Sequence, residues 1–295
     1  MFKYPKVSIL LPTYNRENYL PIAIESALAQ DYHNLNIIIS DDASSDNSEN
    51  IIKKFAKSDS RIKYFRNSTN MGSSKNIYKL IYEYNTSEWF FLLADDDFIV
   101  EKSYISKAIS LIEKYQDIVL IHANCLWYHE NRGGYVVETN KIFPEVEKGE
   151  FYFLNWKDDF YFYSWTVLCK TDIAKELNCY NGNLFSDDWK CWLKFCLKGR
   201  IGFLSDKAAA FRFHGSNYSF DTNIDNNVKG ASCITEAYEY AKLLERFPTN
   251  LLDNWYRKVI SIYFRMRYNA LSGMDKGVAD VFYQRFAMEY PFIIL

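Results

Sequence analysis

The chain has 295 residues, of which 48% are hydrophobic and 24% are charged, and its formal net charge is −2. This composition is that of a globular protein, and the weak net charge excludes the broad basic field that attracts nucleic acid. The length suggests about two domains, or one large domain with an appendage. No stretch approaches the roughly 18 apolar residues of a membrane-spanning helix, and Pro12 breaks the first apolar run, which is too short for a signal sequence.

The six cysteines show neither CxxC spacing nor a His-Cys metal pattern. We therefore expect buried, reduced thiols and a cytoplasmic protein. Such a protein could still bind peripherally to the inner face of the cytoplasmic membrane.

Residues 6 to 122 alternate regularly between short apolar runs and segments with helical spacing. The predicted strands are 6–12, 36–40, 61–65, 88–93 and 117–123, and the predicted helices are 18–30, 48–56, 75–84 and 103–115. Strands that alternate with helices of this length predict βαβ units. The expected fold is α/β, with a mostly parallel sheet flanked by helices.

The second half of the chain is less regular. We predict a strand and helix at 166–177, an apolar helix with an acidic start at 186–199, and strands over 201–213, after a densely aromatic run at 151–165. Residues from about 230 onward have helical patterns. The expected organisation is one domain over 1–225, with halves 6–125 and 126–225, followed by a helical C-terminal region over 226–295.

One C-terminal helix, predicted over 254–271, is amphipathic. Trp255, Val259, Ile262 and Met266 fall on one stripe, with arginine and lysine elsewhere. An aromatic and basic helix of this kind can lie on an anionic membrane surface. Packing on its own domain or on a second subunit is the commoner outcome, so a homodimer contact is also open.

Four polar segments follow the predicted strands, at 13–17, 41–48, 66–76 and 94–97. The carboxyl ends of parallel strands emerge at one edge of a sheet, where ligands bind. We therefore expect these four segments to share a crevice.

Three adjacent carboxylates, Asp95, Asp96 and Asp97, end the strand at 88–93. Carboxylates in such a cluster repel one another and suit a hard divalent ion such as Mg²⁺ or Mn²⁺. The alternative is a solvated turn that caps the next helix. Position at a strand's carboxyl edge favours the metal, whose chemistry would assist the departure of a phosphate group.

Other polar residues each have a functional and a structural interpretation. Asp41 and Asp42 could bind a ribose or a base, or could form an Asx turn or cap the helix near Ser48. Asp187 and Asp188 could supply a general base, or could cap the helix that follows them. His214 could reach a metal or phosphate, although a lone histidine is more often structural.

Together these motifs resemble a known family. The segments VSILLPTYNRENYLPIAIESALAQDYHNLNIIISDDASSDNS, NMGSSKN and FFLLADDDFI resemble the nucleotide-binding half of the family 2 inverting glycosyltransferases, which have the GT-A fold. SDDWKCWLKF and FRFHGSNYS are similar to the acceptor-side acidic motif and the terminal histidine motif of the same family. The QxxRW motif of processive members is absent, which implies transfer of one sugar per encounter.

The resemblance implies roles for the matching residues. The implied nucleotide contacts are Pro12, Thr13, Tyr14, Arg16, Asp41, Asp42, Asn70, Gly72, Lys75, Asp95 and Asp96. Lys75 stands where the family often has arginine, and a lysine lacks the planar guanidinium fork that makes a bidentate phosphate contact.

The implied metal site holds Mn²⁺ or Mg²⁺ with Asp95, Asp97 and His214. Asp188, with Asp187 beside it, matches the catalytic base, and Arg212 matches a phosphate contact. Because sugars dock their apolar faces on aromatic rings, we expect Trp156, Tyr163 and Trp165 to meet the acceptor.

The expected reaction is a single inverting displacement from a nucleotide-diphosphate sugar to a hydroxyl of a glycan or lipid-linked glycan. A UDP-sugar is favoured because an aspartate suits the N3–H of uracil, which a thymidine donor would also satisfy. A sugar nucleotidyltransferase would need a glycine-rich basic loop after the first strand, and an oxidoreductase would need GxGxxG there. LLPTYNRE has neither. A catalytically silent glycan-binding module would keep the aromatic residues without needing the acidic cluster.

Overall fold

The computed structural model describes residues 4–156, 162–181, 187–214, 217 and 222–293. Parts of the aromatic run at 151–165, of the acidic helix start and of the segment after His214 lie outside the described residues.

Strands and helices alternate through the first half of the chain, as predicted. The described strands are β1 (Val7–Thr13), β2 (Leu35–Asp41), β3 (Ile62–Arg66), β4 (Trp89–Leu92), β5 (Phe98–Ile99), β6 (Ile118–His129), β7 (Tyr135–Glu138), β8 (Val146–Lys148), β9 (Leu168–Lys170) and β10 (Arg200–Phe213). The described helices are α1 (Leu20–Leu28), α2 (Ser48–Ser58), α3 (Ser73–Lys79), α4 (Tyr104–Lys114), α5 (Gly149–Leu154), α6 (Thr171–Glu176), α7 (Asp187–Phe195), α8 (Ile224–Gly230), α9 (Ser232–Leu243), α10 (Thr249–Met274) and α11 (Lys276–Glu289). A π-helical turn, Leu80–Tyr84, continues α3.

All these strands join one sheet, with β3, β2, β1, β4, β9, β6, β10 and β5 in that spatial order. β3, β2, β1 and β4 are mutually parallel. β9 lies between β4 and β6 and is antiparallel to both. The predicted α/β fold is confirmed, and the sheet is mixed because β5, β7, β8 and β9 each pair antiparallel with their neighbours.

The central strands are buried on both faces, as expected for parallel strands covered by helices. Ile9 and Leu11 of β1 pack in one hydrophobic cluster with α1 and α4, whereas Leu10 points to the opposite face. This alternation follows from the two-residue period of a strand. A continuous apolar run therefore supplies side chains to two separate layers of core.

The C-terminal helices pack on the second of these layers. Trp255 and Val259 of α10 are buried there, and the indole N–H of Trp255 donates to the carbonyl of Phe153 over 2.7 Å. Packing of this helix on its own domain is thus confirmed at these positions. Met266, the last residue of the predicted stripe, is 45% exposed, whereas the neighbouring Arg267 is buried. None of the helices in the described ranges is long and apolar enough to cross a bilayer.

The six cysteines are all buried and unpaired with one another, which confirms the predicted free thiols.

A buried histidine makes stability depend on pH. His122 of β6 lies among aromatic rings and hydrogen-bonds the Tyr152 hydroxyl over 3.0 Å, and burial lowers the pKa of His122 to about 3. In the unfolded chain the histidine has a pKa of about 6.5 and becomes protonated as the pH falls, whereas in the folded chain it stays neutral. The folded state therefore loses stability as the pH falls. We expect His122→Phe to remove about 2 kcal/mol of the stability loss between pH 7.5 and 5.0.

Urea unfolding of the wild type and of His122→Phe at both pH values checks this expectation. The comparison is between variants because the pKa of Asp95, raised to about 7, acts in the opposite direction and is common to both proteins. Equal pH dependence in the two proteins would contradict the assignment.

Candidate active site

A cleft of about 460 Å³ lies at the carboxyl ends of β1, β2 and β4. Residues from all four predicted polar segments line it, so the expected shared crevice is confirmed. The opposite wall comes from the turn at Ser164 and from β10. The predicted site residues that line the cleft are Pro12, Thr13, Tyr14, Arg16, Asp42, Asn70, Gly72, Asp95, Asp96, Asp97 and Trp165.

Asp42, directly after β2, binds the loop that follows β3. Its buried carboxylate accepts hydrogen bonds from the side-chain amide of Asn67 (2.9 Å) and from the backbone N–H groups of Met71 (3.1 Å) and Gly72 (2.9 Å). Gly72 has φ of +88°, in the left-handed region that favours glycine. These bonds hold the loop against the end of β2, which makes Gly72 part of the cleft wall.

Two further residues with implied nucleotide roles lie outside the cleft wall. The buried carboxylate of Asp41 pairs with Arg66 and accepts from the Tyr64 hydroxyl (3.2 Å) and the Ser44 N–H (2.9 Å). Lys75 is exposed on α3. Of the two adjacent aspartates at the end of β2, Asp42 is therefore the one that faces the cleft.

The three carboxylates after β4 have different partners. Asp95 accepts from the Tyr14 N–H over 3.2 Å and lies 3.6 Å from Nε of Arg16. Asp97 is 2% exposed and accepts the Arg212 N–H over 2.9 Å. The sequence left open which aspartates act together, and the structure shows Asp95 held by the β1 loop and Asp97 held by β10.

Asp96 carries the third contact, because its carboxylate lies 2.9 Å from Nε2 of His214. The imidazole of His214 also stacks on Tyr19, with ring centroids 4.6 Å apart. His214 is therefore buried beside the acidic turn and reaches the cleft through Asp96.

Arg212 supports the same turn from behind. Its Nε donates to the backbone carbonyl of Asp96 over 2.8 Å, and its terminal nitrogen pairs with Glu130 over 3.0 Å. The guanidinium lies 5.2 Å from the ring centres of both Tyr19 and Tyr128. These contacts enclose the guanidinium, so Arg212 holds the turn and does not line the cleft.

The surroundings of the acidic turn favour the protonated, neutral forms of Asp95 and Asp97. Burial and then the charge of Asp96 raise the pKa of Asp95 to about 7, and the same two causes raise the pKa of Asp97 well above its usual value. A bound cation would relieve this by favouring both charged forms.

The turn fits a divalent ion that takes some of its ligands from the protein and the others from a bound substrate and water. Among the described residues, no group of three or more His, Cys, Asp and Glu side chains is placed to hold a metal alone. Mg²⁺ sites in nucleotide enzymes commonly use one or two carboxylates and complete their shell with substrate phosphates and water. Asp95 and Asp97 supply such a pair at the wall of the cleft.

The two aspartates that begin α7 lie in different environments. Asp188 accepts a hydrogen bond of 2.6 Å from the hydroxyl of Ser164, which lines the cleft. Asp187 forms an ion pair of 3.0 Å with Lys190, and both side chains are 2% exposed. Asp188 is thus one hydrogen bond from the cleft wall, whereas Asp187 points into the protein.

The three aromatic residues predicted to meet the acceptor are at different depths. Trp165 lines the cleft and packs on Phe211, with ring centroids 4.6 Å apart. Tyr163 is buried behind it, 5.5 Å from the Trp165 ring. Trp156 is 1% exposed and belongs to the hydrophobic core.

Several lining residues were not anticipated from the sequence, notably Ser164, Asn76 and Phe211. Ser164 carried no motif signal. Phe211 and Phe213 are two residues apart in AFRFH, and this period of two could have identified the face of a strand. Asn76 is buried against β2, where its side chain bonds Ser40 over 2.6 Å.

In α/β proteins, nucleotides and other ligands bind in a cleft at the carboxyl ends of the parallel strands. The chain belongs to glycosyl transferase family 2. The sequence model of that family matches residues 8–166, which are more than half of the chain. It is therefore a glycosyltransferase, and the predicted family membership is confirmed.

Two curated relatives align with most of the chain. One is the GalNAc(5)-diNAcBac-PP-undecaprenol beta-1,3-glucosyltransferase of Campylobacter jejuni, 27% identical over 270 residues, which are 89% of this chain and 81% of that protein. The other is the glycosyltransferase GlyG of Streptococcus pneumoniae, 25% identical over 84% of this chain and 87% of that protein.

Solved structures confirm the GT-A fold. The fold is similar to that of S. aureus TarS 1-349 in complex with UDP-GlcNAc, with a TM-score of 0.68, 20% identity, and 88% of this chain and 73% of that chain covered. It is also similar to that of the mannosyltransferase PcManGT from Pyrobaculum calidifontis in complex with GDP-Man and Mn²⁺, with a TM-score of 0.60, 14% identity, and 100% and 77% coverage.

Proposed function

We propose that this glycosyltransferase moves one sugar, with inversion and with the help of a divalent ion, from a UDP-sugar to a hydroxyl of a glycan or lipid-linked glycan. The observation that carries the proposal is that Asp42, Asp95 and Asp97 line one cleft at the carboxyl edge of the sheet. An acidic turn beside a nucleotide-sized cleft suits a metal-bound diphosphate.

Each wall of the cleft has a role in the proposed reaction. Pro12, Thr13 and Tyr14 line the nucleotide end, where the ring of Tyr14 is exposed and free of the core. Asp42 accepts hydrogen bonds from the base or ribose. A divalent ion held by Asp95 and Asp97 would stabilise the negative charge that develops on the departing diphosphate.

Asp188 is the proposed general base, which removes the proton of the attacking acceptor hydroxyl. Trp165, beside Ser164 in the cleft wall, offers an aromatic face to the acceptor sugar. The name of the C. jejuni relative includes an undecaprenol-linked glycan, which favours a lipid-linked acceptor for this chain as well. TarS was solved with UDP-GlcNAc and PcManGT with GDP-Man, so the nucleotide needs its own test.

Calorimetric titration of UDP, first with Mn²⁺ and then with EDTA, tests the proposal. We expect binding that requires the metal and weakens at least tenfold in Asp95→Asn/Asp97→Asn, because an amide keeps the shape of the carboxylate without its charge. Asp206→Asn, at a half-buried pair with Lys107 remote from the cleft wall, is the matched control and should bind normally.

Binding of UDP without metal dependence would contradict the proposed metal site. No binding in either condition would exclude UDP, and titration with GDP and dTDP would then identify the nucleotide. Displacement of Mn²⁺-UDP by dTDP-sugars more strongly than by UDP-sugars would also reject the UDP donor.

A further inference from the structure

A short hydrogen-bonded chain joins the cleft wall to α7. The indole Nε1 of Trp192 lies 3.0 Å from the Ser164 hydroxyl, and that hydroxyl lies 2.6 Å from Oδ2 of Asp188. The indole nitrogen can only donate and an ionised carboxylate can only accept. The hydroxyl must therefore accept from Trp192 and donate its own hydrogen to Asp188.

We propose that Ser164 is a positioning residue for the transfer reaction, and that it acts by fixing the orientation of the Asp188 carboxylate. The inference rests on the proposed role of Asp188 as general base. A short bond from a hydroxyl to a carboxylate is charge-assisted and strongly directional. It fixes one oxygen of Asp188 against Ser164 of the cleft wall, next to the place where an acceptor hydroxyl would arrive.

The two α7 residues that hold Ser164 are one helical turn apart. Asp188 and Trp192 are separated by four residues, so they project from the same face of α7 and meet the hydroxyl together. Trp192 is buried, which removes the rotational freedom of the donor. The helix therefore holds the Ser164 hydroxyl by two hydrogen bonds.

The other side of the contact is rigid as well. Ser164 begins the turn Ser164–Thr166, and Thr166 is fully buried, with its hydroxyl 2.8 Å from the Tyr163 carbonyl and 3.2 Å from the Ala123 carbonyl. The Tyr104 hydroxyl donates to the Thr166 carbonyl. Precise placement of a reacting group requires such support, because small displacements cost large factors in rate.

Ser164→Ala tests the proposal. The substitution deletes the hydroxyl and keeps the backbone, so we expect kcat to fall roughly 10- to 100-fold, while the affinity for Mn²⁺-UDP measured by calorimetry stays within twofold of wild type. The rate assay follows UDP release from UDP-glucose, UDP-galactose, UDP-GlcNAc and UDP-GalNAc, with methyl glycosides as acceptors.

Three variants control for folding and chemistry. Ser164→Thr restores a hydroxyl and should recover much of the rate. Trp192→Phe keeps an aromatic ring, although a smaller one, and removes the N–H donor, so a smaller loss in the same direction is expected. Ser110→Ala removes a hydroxyl on α4 that donates to the Ser106 carbonyl, and it should leave both rate and binding unchanged.

The pH profile of kcat supplies a readout that a merely structural role would not move. Without the Ser164 bond the charged form of Asp188 loses a donor, so the acidic limb of the profile should shift to higher pH. Among the described residues, Tyr180 in the turn before α7 and Cys233 on α9 interact electrostatically with Asp188. These groups are unchanged in the variant.

Wild-type rate and pH profile in Ser164→Ala would overturn the proposal, as would a rate loss matched by an equal loss of Mn²⁺-UDP affinity. Failure of the proposed function is separable, because Asp188→Asn would then keep its rate whatever Ser164→Ala does. If Asp188 is the general base and Ser164 acts only by orienting it, the double variant Ser164→Ala/Asp188→Asn should be no slower than Asp188→Asn alone.

Discussion

Replacement of Asp188 by asparagine is expected to lower kcat by about 10²- to 10⁴-fold, the range that general-base catalysis contributes. The amide has the shape of the carboxylate and can still accept a hydrogen bond from Ser164, but it cannot take a proton from the acceptor. Because Asp188 is on α7 and the nucleotide end of the cleft is formed by β1, β2 and β4, the affinity for Mn²⁺-UDP should change little. Steady-state rates of UDP release and calorimetry together measure the two effects.

Asp280→Asn is the matched control for this substitution. Asp280 lies on α11 in an exposed pair with Lys276, remote in sequence from every residue of the cleft wall. An Asp188→Asn protein with normal transfer would exclude Asp188 as the base. A wild-type protein that binds glycans without any transfer would instead favour the glycan-binding module that the aromatic residues also permit.

Replacement of Lys190 by methionine is expected to cost about 3–5 kcal/mol of unfolding free energy, the usual range when one partner of a buried ion pair is lost. Lys190 and Asp187 are each 2% exposed and their charged atoms lie 3.0 Å apart. Methionine fills the volume of the lysine stem but leaves the Asp187 carboxylate buried without its cation. Urea unfolding of the wild type and the variant measures the difference.

Two further proteins sharpen the Lys190 experiment. Lys190→Met/Asp187→Asn removes both charges and should recover most of the lost stability, since the penalty arises from the uncompensated carboxylate. Lys276→Met breaks an exposed pair on α11 and should be nearly silent, because water screens that pair. Equal effects of Lys190→Met and Lys276→Met would contradict a desolvated pair.

The Lys190 pair also connects two parts of the chain. Nζ of Lys190 lies 3.6 Å from Glu236 on α9 and 2.8 Å from the side-chain carbonyl of Asn181. The helix that carries Asp188 is therefore fixed from the C-terminal region as well as from the cleft side. Loss of Lys190 should lower activity together with stability, whereas loss of Ser164 should lower activity alone.

The α/β fold of the first half was predictable because it depends on local patterns. Buried parallel strands read as continuous apolar runs, and their helices repeat every 3.6 residues, so both appear in any short window of sequence. The position of the cleft followed from the same patterns, since parallel strands deliver their carboxyl ends to one edge. Motif order in PTYN, SDDAS and ADDD then indicated the family.

Long-range pairing was not predictable in the same way. β9 is only three residues long and enters the sheet between β4 and β6, whose chain positions are far from its own. Nothing within the strand specifies those partners, because a three-residue run can pair with many strands and its partners lie far away in the chain. The antiparallel pairing of β9 was therefore decided by tertiary packing.

The residue types of the site, and the edge of the sheet where they gather, follow from the amino-acid sequence alone. Their orientations depend on packing, because neighbouring aspartates with the same side chain differ solely in what surrounds them. Asp41 pairs with Arg66 while Asp42 lines the cleft, and Asp187 pairs with buried Lys190 while Asp188 meets Ser164. The partners in these contacts lie between 3 and 25 residues away along the chain, and most of them are brought together by packing that no local pattern encodes.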